Sequence, residues 1–351
     1  MLKNTMFSIT ALSTMALLLC ITLAFPVFAS PAISSNEKSS FEEYTNSDLY
    51  SRAEPIQQIN PFPFQSRRGP SNPNYTLDVH YDKDQHVMKG SMKVEVTNNL
   101  STTLDHIYFN VWPNAETFQE NGGGITVENV QVNGNASEYR VEKTKLDIQQ
   151  VQWKPHEKKT ITMEFKVQIP KQKDRFGWYG DTVSLGNWFP ILAVYDEEGW
   201  NLDPYYPYGE AFYSLSGNFD VTVTTHSSEV IAATGKQIGE RKVEGDMATY
   251  RYKAFNVRDF AMEMDPNYHV TTAIVNNVDI NVYYTDKQEK YADDMLESGV
   301  DSIKLFSEKF GAYPWPELDI VSMEGWFGGM EYPQLVMMSL TDNRNTNGIM
   351  G

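Results

Sequence analysis

The sequence predicts a mostly β protein, in which twisted antiparallel sheets come first and the incomplete start of an α+β domain follows. Two kinds of pattern predict this fold class. Over residues 71–270, short segments alternate apolar and polar side chains, which is typical of half-buried strands, and clusters of Gly and Asn separate them. Beyond about residue 280, one amphipathic helical pattern precedes two apolar strand patterns.

The amino-terminal residues 1–29 predict an export signal. Lys3 precedes an apolar run, and the V-F-A pattern that ends at Ala29 matches a cleavage site. An uncleaved membrane anchor is the alternative, because the run approaches the ~20 residues that span a bilayer. Cleavage would remove Cys20, the only cysteine, so the exported protein would have no disulfide. We therefore predict a secreted or cell-surface protein that contacts a membrane only if the signal is retained.

Residues 30–70 are rich in Ser, Asn, Glu and Pro and show little periodicity, which predicts a flexible spacer. The formal net charge of the whole chain is −17. Nucleic-acid binding needs a basic face, so this acidity argues against a nucleic-acid partner.

The β-rich domain is predicted over residues 71–270. Its alternating segments lie at residues 75–81, 92–96, 107–111, 161–169, 219–225, 230–233, 249–254 and 269–275. Residues 181–215 hold nine Trp, Phe and Tyr side chains in a stretch without clear alternation. This aromatic segment has two interpretations: a loop packed across the sheet, or a wall of a substrate cleft.

The second domain is predicted to begin at about residue 271 and to be incomplete at residue 351. Residues 288–310 predict a helix that Gly311 ends. Its apolar face is predicted to comprise Tyr291, Met295, Ile303, Phe306 and Phe310. Strands are predicted at 318–323 and 334–339, and a polar loop at 342–351.

The strongest local motif is the run Gly328, Gly329, Met330, Glu331 and Tyr332, followed by a proline. Glycine lets a backbone approach a ligand closely or adopt positive φ. The carboxylate lies in an otherwise apolar stretch, and a buried carboxylate needs a partner because an unpaired buried charge is costly. That partner is either a bound ammonium or a cation within a tight turn, and the residues alone leave both possibilities open.

The motif at 328–332 resembles the G-x-M-E-N signature of the aminopeptidase N family of zinc metallopeptidases. The resemblance implies an edge strand of a thermolysin-like domain. It also implies that Glu331 binds the free α-amine of a peptide substrate and that nearby backbone groups pair with the substrate chain. Tyr332 stands where many members have Asn.

Other segments resemble the same family in the same order over about 71–351. These are G-S-M at 90–92, N-W-F-P at 187–190, F-D-V-T-V at 219–223, A-A-T-G at 232–235 and V-R-D-F-A at 257–261. The family's W-F-P segment usually leads into Asp-Glu-Pro, whereas residues 191–209 intervene here. We interpret Arg258 and Asp259 as residues that hold a strand end.

The family's zinc site is an H-E-x-x-H motif on a helix, with a later Glu as third ligand. No such motif occurs in this sequence, and the near match at 156–160 has Thr160 at the second ligand position and follows Pro155. The six histidines are His80, His86, His106, His156, His226 and His269. The resemblance thus implies zinc in a full-length parent. We expect no catalytic residue and no metal ligand in this chain, which we interpret as truncated and inactive alone.

Two other functions remain compatible with the residues. One is a non-enzymatic, secreted β-rich binding module that uses the aromatic segment, and the other is a pseudoenzyme with a structural role. An in-frame H-E-x-x-H motif beyond residue 351 in the gene would support a truncated peptidase, whereas a stop at this point in many independent isolates would favour the pseudoenzyme.

Overall fold

The computed structural model describes residues 68–209, 212–325 and 327–340. The predicted signal at 1–29, the predicted spacer up to residue 67 and the predicted loop at 342–351 lie outside the described residues. Gly69, near the end of the predicted spacer, already pairs with Tyr195 through two backbone hydrogen bonds.

The described residues form 24 strands and two α-helices. The first strands are β1 (Ser71–Asp82), β2 (Val87–Thr97), β3 (Ile107–Asn110), β4 (Gly124–Val132), β5 (Asn135–Ala136), β6 (Tyr139–Glu142), β7 (Lys145–Ile148) and β8 (Lys158–Gln168). Next come β9 (Phe176–Tyr179), β10 (Thr182–Leu185), β11 (Ile191–Leu192), β12 (Tyr195–Asp196), β13 (Gly199–Trp200), β14 (Gly217–His226), β15 (Val230–Ala233) and β16 (Lys236–Gln237). The last are β17 (Lys242–Glu244), β18 (Met247–Val257), β19 (Met262–Asp265), β20 (His269–Val275), β21 (Val278–Tyr284), β22 (Glu317–Met323), β23 (Gly329–Tyr332) and β24 (Leu335–Ser339). The helices are α1 (Glu116–Gln119) and α2 (Ala292–Phe310).

A nine-stranded sheet forms the largest layer, in the order β16-β18-β14-β1-β2-β8-β4-β5 with β17 beside β18. Its pairs are antiparallel except β1 with β14. Along β1 the buried residues alternate with exposed ones, as the sequence predicts. The buried face packs against two four-stranded sheets, β15-β19-β10-β9 and β11-β3-β7-β6, in one continuous apolar core.

A separate five-stranded sheet follows, in the order β20-β21-β22-β24-β23. Strands β21, β22 and β24 are parallel to one another, and the two edge strands are antiparallel to their neighbours. All eight predicted strand segments coincide with observed strands. The segment 269–275, which straddles the predicted domain boundary at 270, lies in this sheet. Its alternation does not indicate which sheet it joins, because an edge strand has the same apolar and polar pattern in both sheets.

The two parts of the described chain share an apolar cluster. Val321, Met337 and Tyr332 of the five-stranded sheet pack with Ala232 and Ala261 of the preceding part. Polar contacts accompany it: the Ala233 amide donates to Asp319 Oδ2 at 3.2 Å, and Lys236 Nζ lies 2.7 Å from Asp279 Oδ2. The five-stranded sheet is therefore held against the β-rich part on one face.

Helix α2 covers the opposite face of that sheet. Met295 and Ile303 are buried there, and Gly299 allows close packing because an added Cβ would lie 2.6 Å from Ile320 Cδ1. The prediction that Phe306 and Phe310 share the buried face is wrong, since they are 56% and 81% exposed. They lie in the last turns of the helix, where none of the described strands covers them. Among the described residues, neither helix combines the length and apolar composition that a membrane span requires.

Candidate functional site: an open edge strand carrying a carboxylate

Residues 329–332 of the motif form β23, which lies at one edge of the five-stranded sheet. It pairs antiparallel with β24, with Glu331 opposite Val336, and no described strand pairs with its other edge. Met330 and Tyr332 are buried, whereas Gly329 and Glu331 are exposed. An edge strand is what the family resemblance implied for this motif.

Glu331 is not buried, contrary to the expectation from its apolar neighbours in sequence. The strand alternation explains the difference, because the apolar side chains on either side of Glu331 point to the opposite face. No described residue forms a hydrogen bond or an ion pair with the Glu331 carboxylate, and β23 is not a tight turn. The internal salt bridge therefore has no support among the described residues.

The two glycines do not adopt positive φ. The turn between β23 and β24 instead places the positive φ at Gln334, with φ 64°. Gly329 lies close to the neighbouring strand, since an added Cβ would be 3.0 Å from the Met337 carbonyl oxygen. The Ser339 amide donates to the Gly328 carbonyl at 3.1 Å and so extends the pairing.

Tyr332 connects the motif to two other segments that resemble the family. Its hydroxyl donates to Asn187 Oδ1 at 2.8 Å, and Asn187 Nδ2 donates to Asp259 Oδ2. The Phe260 amide donates to Asp259 Oδ1 at 2.7 Å. We call the three side chains of Tyr332, Asn187 and Asp259 the Tyr332 network. Tyr332 and Asn187 are 145 residues apart in sequence, and Asn187 and Asp259 are 72 residues apart. All three side chains are buried.

Burial determines the electrostatics of the Tyr332 network. It raises the pKa of the Asp259 carboxyl to about 7, although the Phe260 amide and the Arg258 charge act in the opposite direction. Burial also raises the pKa of the Tyr332 hydroxyl, and the Asp259 charge raises it further. Tyr332 is therefore a neutral hydrogen-bond donor at physiological pH. The interpretation of Asp259 as a residue that holds a strand end agrees with these contacts.

A buried cation lies beside the motif and was missed at the level of sequence. The Arg175 guanidinium is within 5.5 and 5.6 Å of the Phe212 and Phe327 ring centres, and its Nη1 is 3.5 Å from Met330 Sδ. Asp174 Oδ1 is 3.7 Å from Arg175 Nε. No sequence signal points to this contact, because Arg175 stands in a polar stretch more than 150 residues before the motif.

The aromatic segment is divided between core and surface. Trp188 and Phe189 are buried in the main core, and Tyr205 is buried as well. Tyr206 and Tyr208 are exposed, whereas Phe212 packs against Trp112. Most of the segment is thus a loop packed across the sheets. Two parts of it approach the motif: Asn187, through its hydrogen bond with Tyr332, and Phe212, through Arg175.

The histidines do not converge on one point. His86 contacts Tyr81, His106 contacts Asp147 and His269 contacts Asp286, each on a different part of the surface. The near match to the zinc motif, at His156, lies in a turn before β8, as predicted. Over residues 68–209, 212–325 and 327–340, no group of three His, Cys, Asp or Glu side chains could hold a metal ion. The described residues therefore do not fit a zinc ion.

No family model and no curated protein matches the sequence. The fold does match solved structures. An M1 zinc metallopeptidase from Deinococcus radiodurans superposes with a TM-score of 0.54 and 16% sequence identity. A point mutant from the same organism has a TM-score of 0.54 and 15% sequence identity, and a two-domain M1 zinc metallopeptidase mutant bound to L-tryptophan has the same values. The matches cover 79% of this chain and 61–62% of theirs.

This likeness shows the fold at the level of M1 zinc metallopeptidases, and it agrees with the mostly β fold class predicted from the sequence. The chain spans about three fifths of the length of the structures that it matches. At this identity the comparison concerns the fold alone.

Proposed function

We propose that this chain provides the part of a zinc-dependent aminopeptidase that recognises the free amino terminus of a peptide. One observation carries the proposal: Glu331 is an exposed carboxylate on an open edge strand, without a partner among the described residues. The fold likeness to M1 zinc metallopeptidases supports the class of hydrolase.

The chemistry of the site agrees with an ammonium ligand. A carboxylate accepts hydrogen bonds from an ammonium group, and such charge-assisted bonds are roughly twice as strong as neutral ones. The unpaired edge of β23 offers backbone groups that an extended peptide can use by strand addition. Glu331 and the strand edge together would fix where the peptide begins, which is the selectivity that an exopeptidase needs.

The zinc ion belongs to the proposal but not to these residues. Since no group among the described residues fits a metal, we assign no zinc ligand and no hydrolytic step to them. Export by the amino-terminal segment and a peptide amino terminus as the binding partner are part of the same proposal.

The test is Glu331→Gln in the protein encoded by the whole gene. Aminoacyl p-nitroanilides with a free amine, and their N-acetylated forms, would be the substrates. Gln keeps the size but removes the charge, so we expect kcat/KM for the free amine to fall by about 30- to 1000-fold. The melting temperature should not change, because the exposed carboxylate holds nothing in place.

Glu297→Gln is the matched control, since Glu297 is exposed on α2. It should leave both substrates unaffected. Equal losses for free and acetylated substrates, together with a lower melting temperature, would assign Glu331 a structural role and end the proposal.

A further inference from the structure

We propose that Tyr332 is a positioning residue: through Asn187 and Asp259 it fixes β23 in place and so sets where Glu331 stands. The inference deepens the proposed function and rests on it for the role of Glu331. The position of β23 itself is a property of the described structure and can be tested without a substrate.

Strand β23 needs an anchor other than its sheet. It is four residues long and has one strand neighbour, β24. Edge strands with a single short pairing are prone to fraying, because half of their backbone groups bond to no other strand. The inward side chains, Met330 and Tyr332, are therefore what ties this strand to the β-rich part.

The residues around Tyr332 leave space for its hydroxyl. An added Cβ at Gly186 would lie 2.0 Å from Tyr332 Oη and 2.6 Å from its Cζ, so only glycine leaves room for the phenol. The next residue, Asn187, has φ 54°, a left-handed conformation that Asn tolerates better than most residues. The Tyr332 phenol thus occupies the space beside Gly186, within hydrogen-bond distance of the Asn187 amide oxygen.

The amide of Asn187 and both carboxylate oxygens of Asp259 are already engaged in hydrogen bonds. Asn187 uses its oxygen for Tyr332 and its nitrogen for Asp259, and both Asp259 oxygens accept hydrogen bonds. Removing the hydroxyl would leave the Asn187 oxygen without this bond in a buried position, and unsatisfied buried polar groups are costly. A displacement of β23 would break the same bond, so the network resists that displacement.

The test is amide hydrogen exchange of the full chain, read by mass spectrometry on peptides from β23, β21 and β14. Tyr332→Phe keeps the ring and removes only the hydroxyl. We expect amides of β23 to exchange about tenfold faster, while β21 and β14 do not change. Tyr252→Phe is the matched control, because Tyr252 is equally buried but its hydroxyl has no hydrogen-bond partner among the residues that the structure describes.

Asp259→Asn is the second variant. It acts through the same network, so it should speed β23 exchange as well, and the double variant should show less than the product of the two single effects. Unchanged β23 exchange in Tyr332→Phe would overturn the inference. So would acceleration spread evenly over all three strands, or loss of folding, since either makes Tyr332 a general stabiliser. Glu331 does not enter this measurement, so its outcome is separate from that of amine binding.

Discussion

Replacing Asp259 by Asn should change how the stability of the protein depends on pH. The ordinary pKa of this carboxyl is 3.8, and burial raises it to about 7 in the folded protein. The folded state thus binds the proton more tightly than the unfolded state, so stability falls as pH rises from the lower value to the higher. A shift of about three pKa units corresponds to a loss of about 4 kcal/mol in the free energy of unfolding, and this loss is complete above pH 7.

The assay is urea unfolding followed by tryptophan fluorescence, at a series of pH values from about 4 to about 8, where the two pKa values lie. Asp259→Asn cannot ionise at this position. The difference in free energy of unfolding between variant and wild type should therefore shift by about 4 kcal/mol in favour of the variant from the low to the high end of this pH range. Glu263 and Asp319, whose pKa values burial raises to about 8 and about 7, titrate in both proteins and cancel in the difference.

Asp220→Asn is a control of opposite sign. Hydrogen bonds from Arg251 lower the pKa of Asp220, so the stability it contributes is present above pH 3.8 and is lost as pH falls below it. From about pH 5 upward its curve should run parallel to wild type. Parallel curves for Asp259→Asn over the same range would refute the reasoning, since Asp259 would then ionise with an ordinary pKa.

Two further outcomes are expected. Gly186→Ala should lower the free energy of unfolding by about 1–3 kcal/mol, because the new methyl group overlaps the Tyr332 hydroxyl. Gly209→Ala should be neutral, because an added Cβ there would have no described atom within 4 Å apart from its chain neighbours. Equal melting temperatures for the two variants would contradict the expectation. The dialysed chain should hold far less than one zinc per molecule by elemental analysis, because its described side chains form no group for a metal. Stoichiometric, tightly held zinc would prove this wrong.

Local patterns in the sequence were sufficient for most elements of the fold. The alternation around Tyr75 and Val94 depends on which side chains face water, and burial follows that pattern in both strands. In the helix that ends before Gly311, burial follows the predicted face only as far as Ile303. Short strands such as β5 and β11 could not be predicted, because two residues carry no period.

The candidate site was predicted in part. The motif at 328–332 was found, but the exposure of Glu331 was not, because the burial of a strand residue depends on which face meets the core. The contacts of Tyr332 with Asn187, and of Arg175 with Met330, join residues about 150 positions apart. Such contacts arise from the packing of sheets against one another, and the sequence of a single segment does not predict them.

The Tyr332 network also has a consequence for the order in which the protein is made. Synthesis proceeds from the amino terminus, so Asn187 and Asp259 leave the ribosome before Tyr332 does, and amino-terminal parts generally fold first. If the amino-terminal part folds first, the Asn187 amide and the space beside Gly186 are formed before β23 arrives, and this strand completes the site by inserting the Tyr332 phenol.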